Sequence, residues 1–530
     1  MPRTLDLSQL LAEIPIEYSS EDLPDVRISG LAIDSRKVGP GDLFVALRGA
    51  GSDGHDFVSE AIANGAAAIA GDKSLRALGV PYVRFPDSRA ALSWIGAGFR
   101  GWPGRKLTVI GVTGTDGKTT TTNLIYEVLR AAGIKAGMIS TVNAVIGDEV
   151  LDTGLHVTTP DAHDVQRYLA LMVEAGLTHV VLETTSHGWA QHRVDACEFD
   201  VGVITNITHE HLDEHGSYES YRAAKARLFQ SLERTLPKQT GRRRLAVINR
   251  DDSSYDYLRG LIHVDAISYG LHGDADLRAV DIADYPEGVA FTAVGRGLRI
   301  AIHAHLPGKF NVSNCLAALG VVTSGLGVDA EVAARGMANL HGIPGRMQRI
   351  DMGQSFVAIV DFAHTPNALK VALEASRSVL AAEGGRRVIA VFGSAGLRDK
   401  AKRRLMAETA AEYADLTVFT AEDPRSESLD SILEEMAMGA RSRGGREGET
   451  FWREPDRGEA IRLALRLAEP DDVVISCGKG HEQSMCFGAV EYPWDDRIAV
   501  RAGLAELLGV GGPTMPYLPT QDQEEAKWLS

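Results

Sequence analysis

Short apolar runs recur along the chain, each closed by glycine or polar residues, and helical patterns separate them. In KLTVIGVTG, Val109, Ile110 and Val112 predict a short buried strand; Leu124, Ile125, Val128 and Leu129 then fall on one side of a helix. AGMIST, THVVLETTS and DVGVITNIT repeat the strand pattern, with a helix through Asp161–Ala175 among them. That alternation predicts a parallel sheet with helices on both faces, and such sheets collect ligands at the C-terminal ends of their strands. Glu183 and Asn206 lie at such ends. A second set begins near Gly345. FVAIVDFAHTP, RVIAVFGSAG, LTVFTAEDPR and DVVISCGKGHE predict four more strands, and Ile461, Leu465 and Ala468 mark a helix over Asp456–Ala468.

A smaller α/β unit precedes both. Leu5–Leu11 predicts a short helix, GLAIDSRKVGPGDLFVALRG a strand on either side of the turn Pro40-Gly41-Asp42, and Phe57–Asn64 a helix before the strand AAAIAG and another strand–helix pair. GWPG, Gly101–Gly104, predicts a linker. Asp276–Pro307 is β-rich, and PGKFNVSNCLAALGV opens a helix. The expected domains are 1–103, 106–341 and 345–510; prolines 513, 516 and 519 followed by QDQEEAK predict a flexible tail over 511–530.

Composition narrows the function classes. At 530 residues the chain is too long for one core. A net charge of −16 argues against general nucleic-acid binding, which needs clustered Lys and Arg, although a local basic pocket for a small anion is compatible with it. Cys197, Cys315, Cys477 and Cys486 lie far apart without metal-type spacing, so a reduced, cytoplasmic protein is expected. No signal peptide and no membrane-inserted segment are expected, because the N-terminus lacks a basic patch before an apolar core and no apolar run approaches roughly 20 residues.

The candidate chemistry centres on VTGTDGKTTTT. A strand, a glycine loop and a helix start together cradle phosphate: small residues let backbone N–H groups face the oxygens, and the helix N-terminus adds positive partial charge. A plain strand-to-helix turn would account for the glycines but not for Gly-Lys-Thr-Thr at the helix start. Lys118 would reach the outer phosphates, and Thr119 or Thr120 would hold Mg²⁺. Five residues separate Gly111 from Gly117, one more than in the strict P-loop. Glu183, after the apolar Val180–Leu182, is placed to bind Mg²⁺ near such a loop. His209, His211 and His215 lack an obvious third and fourth partner set for structural zinc, and polar caps are the better reading. KQTGRRR, Lys238–Arg244, reads as a solvated basic loop.

GVTGTDGKTT, ETTSHG, NITHEHLDEHGSYESYRAAKARLF, LPGKFNVSNCLAAL, GIPGRMQRID and DFAHTP, in this order, resemble the Mur ligase family, the ATP-dependent amide-forming enzymes of peptidoglycan precursor synthesis. LAIDSRKVGPGDLFVAL, GSAGLRDK, EDPRSE and SCGKGHE resemble the branch that adds the third residue of the stem peptide. The resemblance implies a small N-terminal α/β domain for the UDP end of the substrate, a central P-loop-type, mostly parallel sheet for ATP, and a C-terminal Rossmann-like α/β domain for the incoming amino acid. It implies a monomer that uses ATP and Mg²⁺ to activate a substrate carboxylate as an acyl phosphate, which an amine then attacks. By this resemblance Gly114, Thr115, Asp116, Gly117, Lys118, Thr119 and Thr120 bind ATP, with Asn311 near adenine, Asp361 near ribose and Arg346 near the phosphates. Glu183 and His211 hold magnesium, and Lys225 carries a carbamate that turns a cation into an anionic support for the metal.

For UDP-N-acetylmuramoyl-L-alanyl-D-glutamate, the resemblance implicates Ser35, Thr158, Thr159, Thr185, Gln191 and Arg193; Val157 stands where an asparagine can occur. Arg398, Glu422, Asp423, Pro424, Arg425, Gly478 and Glu482 match the diamino-acid site. Arg425 and Arg398 suit a distal carboxylate and favour meso-diaminopimelate. Asp423 stands in place of a neutral asparagine; it is expected to pair with Arg425, which would favour lysine or ornithine. Two other readings compete. A folylpolyglutamate synthetase-like ligase shares the ATP core but lacks the IDSR…GDLF domain; a non-catalytic ATP-binding homologue is opposed by the intact Lys118, Glu183, His211 and Lys225.

Overall fold

The computed structural model describes residues 4–20, 26–49, 52–151, 159–208, 216–238, 241, 243–285, 287–383 and 386–521. The chain divides into two units. One comprises residues 1–210, 217–269 and 317–329, and the other 211–216, 270–316 and 330–530.

The first unit holds the antiparallel pair Leu5–Asp6 and Arg27–Ile28 and two further sheets. Near the N-terminus, Gly30–Ala32, Asp42–Val45, Ala68–Gly71 and Tyr82–Arg84 pair in that order, all parallel. The larger sheet has six parallel strands, ordered Ala136–Ile139, His179–Glu183, Thr108–Thr113, Val201–Ile204, Leu245–Asn249 and Asp265–Gly270. Ala144–Ile146 and Glu149–Leu151 extend its first edge antiparallel. Strand Thr108–Thr113 is buried at every residue, as a strand covered on both faces must be. Register aligns Val112 with Glu183 and Thr113 with Ile204, so three strand ends open at one point.

The GWPG segment differs from the expected linker. Pro103–Lys106 is a short helix with Pro103 and Gly104 buried. A β-carbon on Gly104 would overlap the Cys197 carbonyl. Arg105 stacks on Trp102 with its guanidinium carbon 3.9 Å from the ring centroid, and bonds Glu198 at 2.9 Å and Glu13 at 2.5 Å. The connection is a packed joint.

In the second unit, Leu277–Tyr285, Gly288–Gly295 and Leu298–Ala304 form an antiparallel meander. The C-terminal sheet is ordered Gln348–Ile350, Val357–Asp361, Val473–Cys477, Val388–Phe392, Leu416–Phe419 and Phe451–Arg453; only the first strand is antiparallel. The stretch expected as a loose tail is docked where it is described: Leu518 is fully buried and Met515 packs on the C-terminal core. Residues 522–530 lie outside the described set. No helix among the described residues is long and apolar enough to cross a membrane.

Candidate active site

The phosphate-type loop follows strand Thr108–Thr113 and leads into helix Lys118–Ala131. Gly114 has φ +147° and Gly117 has φ +81°, conformations that L side chains rarely adopt. At Gly114 there is also no room, since a β-carbon would overlap Thr205 Oγ1. The loop is held from the next strand end. Asn206 Oδ1 accepts from Asp116 N at 2.9 Å, Asn206 O from Thr115 N at 2.8 Å, and Thr205 Oγ1 donates to Asp116 O at 2.5 Å. Sequence placed Asn206 at a strand end but gave it no task; bracing the loop is that task. Lys118 Nζ donates to Thr115 O at 2.7 Å, which holds its ammonium against the loop backbone. Thr120 is buried in the first helical turn.

Glu183 is wholly buried beside the loop. Its Oε1 accepts from Thr119 Oγ1 at 3.1 Å and its Oε2 from Thr141 N at 3.1 Å. A carboxylate with this donor set, beside a threonine hydroxyl at the loop's mouth, has the oxygen chemistry a hard cation takes. Lys225, on helix Tyr218–Arg234, is 2% exposed. Its Nζ donates to Gly114 O at 2.5 Å and lies 4.5 Å from the Tyr221 ring centroid, while Tyr221 OH meets Thr115 Oγ1 at 3.0 Å. Helix, loop and Glu183 thus converge. His209, His211 and His215, with Thr158 and Val157, lie outside the described residues.

Four expected acceptor residues cluster next to Glu183. Thr159 Oγ1 lies 3.2 Å from Thr185 Oγ1 and accepts from Thr185 N at 3.1 Å. Thr185 caps the short helix Ser186–Ala190 through Gly188 N at 2.9 Å. Arg193 donates to Thr159 O at 2.5 Å and to Gln191 Oε1 at 2.7 Å. Ser35 belongs to the N-terminal sheet's own loops, donating to Glu60 Oε2 at 2.6 Å.

In the second unit, Asn311 is buried with its Nδ2 on Pro307 O at 2.8 Å. Asp361 accepts from Met347 N and Ala363 N, both at 2.7 Å. Arg346 lies over Phe362 at 4.6 Å. Asp361 therefore already fixes two loop backbones, a task that sequence did not signal.

The expected amino-acid residues gather at strand ends of the C-terminal sheet, with one change of partner. Asp423 does not pair with Arg425. Its Oδ1 accepts from Lys479 Nζ at 3.0 Å and from Cys486 N at 2.9 Å. Lys479 is fully buried and also meets Glu482 Oε2 at 2.5 Å. Burial works against its charge, but Glu482 and Asp423 outweigh that and hold its pKa above the ordinary lysine value. Among the described residues no carboxylate lies within ion-pair distance of the Arg425 guanidinium. The loop bearing exposed Arg398 packs here, with Gly396 N on Asp423 O at 3.0 Å. Gly478, at φ +107°, leaves room for Glu422, whose Oε2 a β-carbon there would overlap.

Glu422 is buried and its Oε2 has no hydrogen-bond partner among the described residues. Desolvation pushes its carboxyl up to about 7, with the Asp423 charge adding and Lys402, Arg457 and Lys479 opposing. The folded protein holds this proton more tightly than the unfolded chain. The associated stability is therefore full below the unfolded carboxyl's pKa and is lost as pH rises through about 7. Glu422→Gln should unfold at a higher temperature than the parent at pH about 8.5, by the equivalent of about 3 kcal/mol, and match it near pH 4.5. Melting curves of both proteins at the two pH values test this; parallel profiles would refute it.

Three family models match: Mur ligase middle domain over 112–322, the Mur ligase glutamate ligase domain over 345–480, and the Mur ligase family catalytic domain over 27–100. A UDP-N-acetylmuramyl-tripeptide synthetase of Roseiflexus sp. (strain RS-1) is 42% identical over 495 residues, 92% of this chain and 96% of that protein. The chain belongs to the Mur ligase family. A UDP-N-acetylmuramoyl-L-alanyl-D-glutamate–2,6-diaminopimelate ligase of Geobacillus thermodenitrificans (strain NG80-2) is 41% identical over 90% of this chain and 95% of its own. A solved structure bearing the same ligase name superposes with a TM-score of 0.64 at 30% identity, covering 96% of this chain and all of that one. This Mur ligase accordingly has the family's three-domain fold and is an ATP-dependent amide-forming enzyme.

Proposed function

We propose that this Mur ligase joins meso-diaminopimelate to UDP-N-acetylmuramoyl-L-alanyl-D-glutamate at the expense of ATP. The observation that carries the choice of amino acid is the Lys479 bridge. With the Asp423 carboxylate turned to the buried Lys479 ammonium, which it shares with Glu482, the Arg425 guanidinium is left for a carboxylate on the far end of the substrate. The names of the relatives at about 40% identity agree. The N-terminal family match over 27–100 weighs against a folylpolyglutamate-type ligase.

The phosphate loop's N–H groups and Lys118 hold the nucleotide phosphates and stabilise the charge that develops as the γ-phosphoryl group moves to the acceptor carboxylate. That step breaks the bond to ADP and leaves an acyl phosphate. The amine then forms the C–N bond, gives up a proton, and phosphate departs. Thr119, Glu183 and a carbamate on Lys225 would hold Mg²⁺. Bound there, the metal would neutralise charge between two anions. Thr159, Thr185, Gln191 and Arg193 present the acceptor, and the domains 1–103, 106–341 and 345–510 divide the acceptor, nucleotide and amino-acid tasks. We place the protein in the cytoplasm, where its substrates are made. Mass spectrometry of the product tests this reading. A gain equal to diaminopimelate less water supports it; a product carrying glutamate, or none, overturns it.

A further inference from the structure

Two non-glycine residues in the amino-acid site hold left-handed backbone: Asp423 at φ +45° and Arg425 at φ +54°. Such residues persist only where their surroundings over-determine them. Here the hairpin Ser484–Phe487/Val490–Pro493 does so. Arg425 N donates to Cys486 O at 3.1 Å, Gly488 N to Arg425 O at 2.8 Å, and Cys486 N to the Asp423 carboxylate at 2.9 Å. The hairpin is seated on the C-terminal core through Met485 and Phe487, both fully buried, and its outer strand carries the partly buried Tyr492. Phe487 meets Tyr492 edge-on with centroids 5.9 Å apart, and Tyr492 meets Tyr517 at 6.5 Å.

Tyr517 belongs to the C-terminal segment beyond helix Asp496–Leu508. That segment is anchored on both sides of the tyrosine. Met515 packs on the C-terminal core beside Gly458 and Gly503, Leu518 is fully buried, and Thr520 Oγ1 donates to Asp456 Oδ2 at 2.7 Å. Asp456 is the N-cap of helix Arg457–Leu467, accepting from Glu459 N at 2.9 Å.

We infer that residues 511–521 are a positioning element of the amino-acid site, in which Tyr517 steadies the hairpin that holds Asp423 and Arg425 in their strained conformations. The inference rests on the proposed reading of that site. Deleting the segment would bare the core around Leu518, so the test uses single substitutions. Tyr517→Ala should raise KM for the diamino acid about five- to tenfold, with KM for ATP and for the UDP-linked acceptor unchanged; Tyr517→Phe, which keeps the ring, should recover most of the loss. Equal changes in all three KM values, or none, would overturn the inference. Amide hydrogen exchange separates its failure from that of the proposed substrate. Tyr517→Ala should speed exchange at residues 423–427 and 484–493 even if the parent turns over no diaminopimelate. Unchanged exchange there overturns the positioning role.

Discussion

Lys225→Ala should lower kcat by about 10²- to 10³-fold while leaving the fold intact, a loss of the size seen when one preorganised charge-stabilising group is removed. Lys225 is 2% exposed, with Nζ 2.5 Å from Gly114 O, the first carbonyl of the phosphate loop. Addition of CO₂ to that amine forms an N–C bond, releases one proton and puts carboxylate oxygens beside the loop. High bicarbonate should not restore the alanine variant, because its side chain has no amine to carbamylate. A short-chain carboxylic acid should restore part of the activity by filling the vacated space with an equivalent anion. Full activity in Lys225→Ala would end the assignment.

Arg425→Ala should cut kcat/KM for meso-diaminopimelate by about 10²-fold, the upper range for a hydrogen-bonded charged contact, and leave turnover of lysine or ornithine nearly unchanged. In the parent, diaminopimelate should exceed either by at least about tenfold, a gap of roughly 1.4 kcal/mol. Asp423→Asn distinguishes the two accounts of Asp423. If Asp423 is committed to Lys479, as the 3.0 Å contact indicates, the ranking of amino acids should not move. If Asp423 instead weakened Arg425, the asparagine variant would gain diaminopimelate turnover about tenfold. Steady-state kinetics with the three amino acids and the two variants measure all of this.

Where chemistry is local, the sequence carried it. Glycines 114 and 117 must adopt positive φ, and the apolar run before Glu183 puts that carboxylate at a strand end; both are visible as spacing. Relationships across long separations were not. Nothing in the sequence GKGHE signals a buried ion, yet Lys479 is fully buried and bridges Asp423 and Glu482. Asp423 beside Arg425 in sequence suggested an ion pair, whereas left-handed backbone at both residues sends the Asp423 carboxylate to Lys479. Glycine and proline in GWPG suggested a linker and could not reveal that Gly104 is pressed against Cys197. Three prolines and a polar end made 511–530 look loose; the anchors Met515, Leu518 and Thr520 find partners only in the folded domain.

Phosphate release under full and incomplete substrate sets tests the account most directly. With ATP, Mg²⁺, UDP-N-acetylmuramoyl-L-alanyl-D-glutamate and meso-diaminopimelate together, one phosphate should appear per amide bond formed, and omission of either the acceptor or the amino acid should abolish steady release. Release that continues without the UDP-linked acceptor, or that requires a folate in its place, would contradict it.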